Sequence, residues 1–152
     1  MRRIFAALTV MALAIPCVLA QDKPLDGDLK KLQGKWSTKA GPDSANVTLI
    51  LETGKISFVI PAPTGEEKTI AGTFTIDEKA EPKVITWSGM KVDDRPLPDV
   101  EGIYTFDGED TLKIAGGSGK ERPKAFVEKG KESEGARANT MVFTRVKDEP
   151  KK

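Results

Sequence analysis

The sequence predicts an all-β chain: one antiparallel, up-and-down barrel of eight strands preceded by a short helical turn. Three observations predict it. From Lys35 onward, apolar residues recur at every second position in segment after segment, the pattern of strands with one buried and one wet face. Most of these segments are separated by short runs rich in Gly, Pro and Asp, which is the chemistry of tight turns. A helical period occurs in one place alone, over residues 28–33.

In that helical turn Leu29 and Leu32 stand three apart. Asp28 is placed as its N-cap and Gly34 as its stop. The first strand is expected at 35–38, around Trp36. The second covers 46–52, with Val47, Leu49 and Leu51 on one face, and the third 55–60, with Ile56, Phe58 and Ile60 aligned. Gly41-Pro42-Asp43-Ser44 and Thr53-Gly54 supply turns. The fourth covers 68–77, where Ile70, Gly72, Phe74 and Ile76 share a face, and Gly72 marks a bend or bulge because it lacks a side chain to pack. The fifth, 83–88, carries Val84, Ile85 and Trp87, and residues 89–99 read as a loop. Strands at 100–106 and 111–115 flank the hairpin turn Asp107-Gly108-Glu109-Asp110. A long polar stretch, 116–139, precedes the last strand at 140–146. Eight sequential strands can close on themselves and so remove their exposed edges. The interior of such a barrel is filled by side chains or holds one small ligand. A two-sheet sandwich is the main alternative.

The N-terminus has the three-part layout of a secretory leader. Arg2 and Arg3 are basic, Ile4 to Ala20 carries no charge, and Val18-Leu19-Ala20 leads abruptly into the polar Gln21-Asp22-Lys23-Pro24. Cleavage is expected after Ala20. Pro16 interrupts the apolar run, which argues against a membrane anchor, since a spanning helix wants about 20 apolar residues. The expected organisation is a leader at 1–20, a tether at 21–27, one barrel domain at 28–147 and a charged tail at 148–152. The protein is thus expected outside the cytoplasm, periplasmic or secreted, and not spanning a membrane once processed. The chain's one cysteine, Cys17, would leave with the leader, and with it any disulfide framework or thiolate chemistry. The formal net charge is +1, and loss of Arg2 and Arg3 takes it to −1. That balance disfavours nucleic acid, which needs a basic excess.

Gly34-Lys35-Trp36, set just after a helical turn, resembles the opening of lipocalin-like barrels. The resemblance implies that Trp36 closes the bottom of the barrel and that Arg145, late in the last strand, stacks over it as a cation on a π face. The wider run Asp28-Leu29-Lys30-Lys31-Leu32-Gln33-Gly34-Lys35-Trp36 resembles the opening of an uncharacterised lipocalin-like domain family of secreted planctomycete proteins. Further motifs follow in that family's order. They are Gly72-Thr73-Phe74-Thr75-Ile76-Asp77, then Glu81-Pro82-Lys83-Val84-Ile85, then Gly102-Ile103-Tyr104-Thr105-Phe106-Asp107-Gly108. Asp110-Thr111-Leu112-Lys113-Ile114 and Gly119-Lys120-Glu121-Arg122-Pro123-Lys124-Ala125-Phe126 complete them. The chain departs from the pattern at Ala115-Gly116-Gly117-Ser118, where the family commonly carries a hydrophobic or cysteine-bearing stretch, and in its long, charged 127–139 segment. The resemblance implies a fold and a secreted setting, and no reaction.

Little catalytic chemistry is available. The chain has no histidine, the usual general base and the commonest zinc ligand. Carboxylates cluster at Asp93, Asp94, Asp99 and Glu101 and again at Asp107, Glu109 and Asp110. A hydrolase would need two of them facing across a cleft, and solvated loop positions are the simpler reading. Neither cluster follows the spaced calcium-loop pattern. Gly116-Gly117-Ser118-Gly119-Lys120 fails as a phosphate loop, because Glu121 stands where Ser or Thr is required. Arg122 and Pro123 are instead expected to pin this loop to the barrel, with Phe126 as an apolar anchor. Trp87 and Tyr104 are the candidate ligand-lining residues. Trp36 and Arg145 are structural. No cofactor and no metal site are expected.

The leading functional reading is a non-enzymatic extracytoplasmic module that binds a small apolar or amphipathic molecule. A cell-envelope structural or protein-interaction module with a filled core is the alternative. A hydrolase relying on Asp94 or Glu101 comes last.

Overall fold

The computed structural model describes residues 25–40, 45–62, 65–117, 121–128 and 139–147. The expected leader with Cys17, most of the expected tether, the expected turn at 41–44, residues 63–64, 118–120 and 129–138, and the expected tail lie outside the described residues. A helix, α1 (Gly27–Leu32), leads into β1 (Gly34–Ala40), β2 (Ala45–Glu52), β3 (Lys55–Pro61), β4 (Glu67–Asp77) and β5 (Val84–Val92). The two-residue β6 (Arg95–Pro96), β7 (Val100–Phe106), β8 (Thr111–Gly116) and β9 (Thr140–Arg145) follow. Each strand pairs antiparallel with the next around the ring, and β6 hangs from β5 outside it. Pairing of β9 with β1, with Trp36 opposite Arg145 and Ser37 opposite Thr144, closes the eight-stranded barrel. The expected fold class is the observed one.

Three local expectations need correction. The N-cap is Asp26, whose carboxylate accepts from the Gly27 N–H at 2.8 Å. Asp28 lies inside the first turn and is buried. Both aspartates precede Leu29, and the one whose carboxylate the barrel needs could not also cap the helix. The fifth strand does not stop at Ser88. It runs on to Val92, across a register shift in which Ala71 pairs with Lys91 and Thr73 with Ser88. The extra residue falls on β5, where Gly89 has a φ of +61°. A bulge reverses which residues face inward, so Trp87 and Met90 are both buried although three apart, and the alternation that signals a strand breaks there. The region expected to be a loop therefore opens with the rest of β5. It continues through the two-residue turn Asp93-Asp94, both with positive φ, into β6.

Inward-facing residues follow the alternation that the sequence displays. Leu49 stands opposite Phe58 and Leu51 opposite Ile56. Phe74 faces Trp87, and Ile76 faces Ile85. The anticipated irregularity at Gly72 is present: a Cβ there would lie 2.6 Å from Met90 Sδ and 2.8 Å from the Ser88 carbonyl oxygen. Glycine lets β4 and the bulged β5 approach each other with Met90 filling the space.

Outside the barrel, Ile103 and Ala115 face each other across β7 and β8, and both are fully buried although they point outward. The 121–128 segment lies along this face. Arg122 is ion-paired with Glu101 and bonded to the Thr86 hydroxyl, Phe126 sits beside Lys83 and Thr105, and Glu128 pairs with Lys113 at 2.9 Å. Val127 and Asn139 exchange hydrogen bonds that fix its far end. The loop is thus pinned by Arg122 as the sequence suggested. Among the described residues no helix is long and apolar enough to cross a membrane.

Candidate functional site: the open half of the barrel interior

The two ends of the barrel differ. At the end covered by α1, inward side chains Trp36, Leu51, Ile56, Ile85, Tyr104, Leu112 and Phe143 are fully buried, and Leu32 of α1 joins them. The Trp36 indole N–H donates to the Leu32 carbonyl at 2.9 Å. Arg145 lies with its guanidinium carbon 4.0 Å from the Trp36 ring centroid. It also donates to the carbonyls of Gln33 and Lys31 at 2.9 and 2.6 Å, satisfying helix-end acceptors that would otherwise lack partners.

Asp28 locks this end. It is 5% exposed and accepts hydrogen bonds from Lys83 Nζ at 2.5 Å and the Tyr104 hydroxyl at 3.0 Å. Its own N–H donates to Glu78 at 2.7 Å. Burial pushes the Asp28 carboxyl up, but the bonds from Lys83 and Tyr104 and the positive charges of Lys83 and Lys31 outweigh it, so it titrates below the ordinary value of 3.8. Burial first, then the bond to Asp28 and the nearby negative charges of Asp28, Glu78 and Asp77, raise Tyr104 far above the usual phenol range. Tyr104 is a neutral donor with its hydrogen bond made.

Towards the other end the interior becomes accessible. Val47, Phe58 and Trp87 keep 7%, 8% and 7% exposure, and Ile60, Ile70, Val100 and Met141 are half-buried. Trp87 meets Phe58 edge-to-face, with ring centroids 5.2 Å apart at 65°, and Val100 stands opposite it on β7. Gly116 faces inward next to Val100, and the nearest atom a Cβ there would meet is Val100 Cγ1 at 3.5 Å, an ordinary contact. A side chain as small as alanine's would therefore fit at Gly116 without displacing a neighbour. Trp87 Nε1 is buried and has no hydrogen-bond partner among the described residues. An unmet buried donor costs about 1–3 kcal/mol, and the contrast with the satisfied indole of Trp36 is direct.

The two candidate ligand residues do not share a site. Trp87 pairs with Val100, and Tyr104 lies four residues further along β7, about 13 Å at strand spacing. Trp87 faces the open half, whereas Tyr104 belongs to the closed end with Asp28. Residues of the open half that pattern reading missed are Met90, hidden by the bulge, and Gly116. The latter lies on the inner face with Leu112 and Ile114, opposite Gly102, but has no side chain to mark it in the pattern.

Most of the clustered carboxylates are engaged by neighbouring cations or backbone. Asp93 sits 3.9 Å from Arg95 in its turn, Asp99 accepts from the Gly89 N–H at 3.1 Å, and Glu101 holds Arg122. Asp107 pairs with Lys113 at 3.3 Å and Asp110 with Lys147 at 2.8 Å. Among the described residues no three His, Cys, Asp or Glu side chains gather as a metal site would require. An outer cleft of about 480 Å³ lies at the closed end, bordered by Lys31, Phe106, Gly108, Glu109, Asp110 and Arg145. Its Asp110 and Arg145 are already engaged.

No family model matches the chain, and none of the curated proteins or solved structures matches it either. The barrel is lipocalin-like in architecture and compatible with a binding module.

Proposed function

We propose that the protein is a non-catalytic, extracytoplasmic binding module that takes one small apolar or amphipathic molecule into the open half of its barrel. One observation carries the reading: inward apolar side chains are fully buried at the α1 end and become partly exposed towards the other. Small-molecule sites are concave and mostly apolar, and an eight-stranded barrel has room for one such ligand. The leader-like pattern of residues 1–20 supports the location, and the order of motifs from Asp28 to Phe126 supports kinship with the secreted planctomycete family. The absence of histidine supports a role without catalysis.

Titration of the purified protein with an environment-sensitive lipophilic dye tests this. Saturable binding is expected, weakened at least tenfold in Gly116→Phe, whose ring would occupy the open half while circular dichroism stays unchanged. A flat titration would sink the reading and leave the filled-core interaction module in its place.

A further inference from the structure

We infer that the molecule held in the barrel carries a neutral hydrogen-bond acceptor, a ketone, ester or amide oxygen, and that Trp87 Nε1 donates to it. This deepens the proposed function and rests on it. Trp87 Nε1 is a buried donor with no partner among the described residues, in a barrel whose other tryptophan donates to a carbonyl at 2.9 Å. Buried polar groups are ordinarily paired, by protein, by water or by a ligand. The surroundings select the acceptor. Phe58 meets Trp87 edge-to-face, Phe74 and Val100 stand opposite it on the neighbouring strands, and Met90 follows it across the bulge. No ionisable side chain of the described residues is buried at this level, since Asp28, at the far end, is the one buried charged group. A carboxylate at this depth would be stripped of water with a single neutral donor to meet it, which is strongly unfavourable. A neutral carbonyl loses little water and gains the indole N–H. The ligand is thus an uncharged amphiphile with its oxygen part-way down the barrel and its apolar remainder along Phe58, Val100 and Gly116.

The experiment compares 2-undecanone with undecane and undecanoate, all competing against the lipophilic dye, on wild type and Trp87→Phe. The ketone is expected to bind about tenfold more tightly than the hydrocarbon, as one neutral hydrogen bond allows. That advantage should vanish in Trp87→Phe while hydrocarbon affinity holds. In labelled wild-type protein the Trp87 indole proton should move downfield with the ketone and not with undecane, a readout that needs no variant. Ketone and hydrocarbon binding equally, with Trp87→Phe indifferent, would overturn the inference, leave the N–H to buried water and spare the binding reading. Tighter binding of undecanoate than of the ketone would overturn it too. If no compound displaces the dye because none binds, the binding reading itself falls.

Discussion

Asp28 shows how one side chain sets the closed end of the barrel. Its carboxylate joins α1 to Lys83, just before β5, and to Tyr104 on β7, so a residue near the start of the domain fastens segments met more than fifty positions later. Its titration is depressed. A group whose pKa is lower when folded stabilises the fold above its unfolded value, about 3.9, and loses that contribution as pH falls through the folded value. Asp28→Asn is therefore expected to lower stability by about 1–2 kcal/mol at pH 7. The difference from wild type should shrink below pH 4, as urea melts at pH 7 and pH 3 would show. Nothing in the sequence separated Asp28 from Asp26 as caps. Both are short acidic residues within three positions upstream of Leu29, and only the three-dimensional approach of Lys83 and Tyr104 distinguishes them. Trp87 and Tyr104 looked equivalent in the sequence for the same reason: each is an aromatic residue in an alternating strand, and height along the barrel is not written in alternation.

At the scale of elements, two glycines on the inner wall make opposite predictions. Gly72 on β4 is pressed against Met90 and the Ser88 carbonyl of β5, whereas Gly116 on β8 would place a Cβ in ordinary contact with Val100 alone. Gly72→Ala should cost about 1–3 kcal/mol through overpacking, and Gly116→Ala should be within about 0.5 kcal/mol of neutral, as thermal melts of the two variants would test. Most strand positions were legible because their apolar residues alternate, as in Val47, Leu49 and Leu51. The second half of β5 was not, because the bulge at Gly89 moves the inward residue from an expected odd position to Met90. The pinning of the 121–128 segment was readable from Arg122 and Phe126, a cation and a large apolar residue stranded in polar sequence. Ile103 and Ala115 read in sequence as outward strand positions, yet both are fully buried.

For the whole molecule, closure is what the pattern of hairpins implied and what the β1–β9 pairing accomplishes. The sequence also places nearly every core residue on the inner face. It does not say that the interior fills unevenly, because that depends on which glycines and bulges fall at which height, and on α1 plugging one end with Leu32. The most direct test of this uneven filling is a crystal structure of the protein under xenon pressure, since xenon enters dry apolar cavities and reports where they are. Xenon bound against Trp87, Val100 and Gly116, with none beside Trp36, is the predicted result. An interior without xenon, or a xenon site at the α1 end, would contradict it.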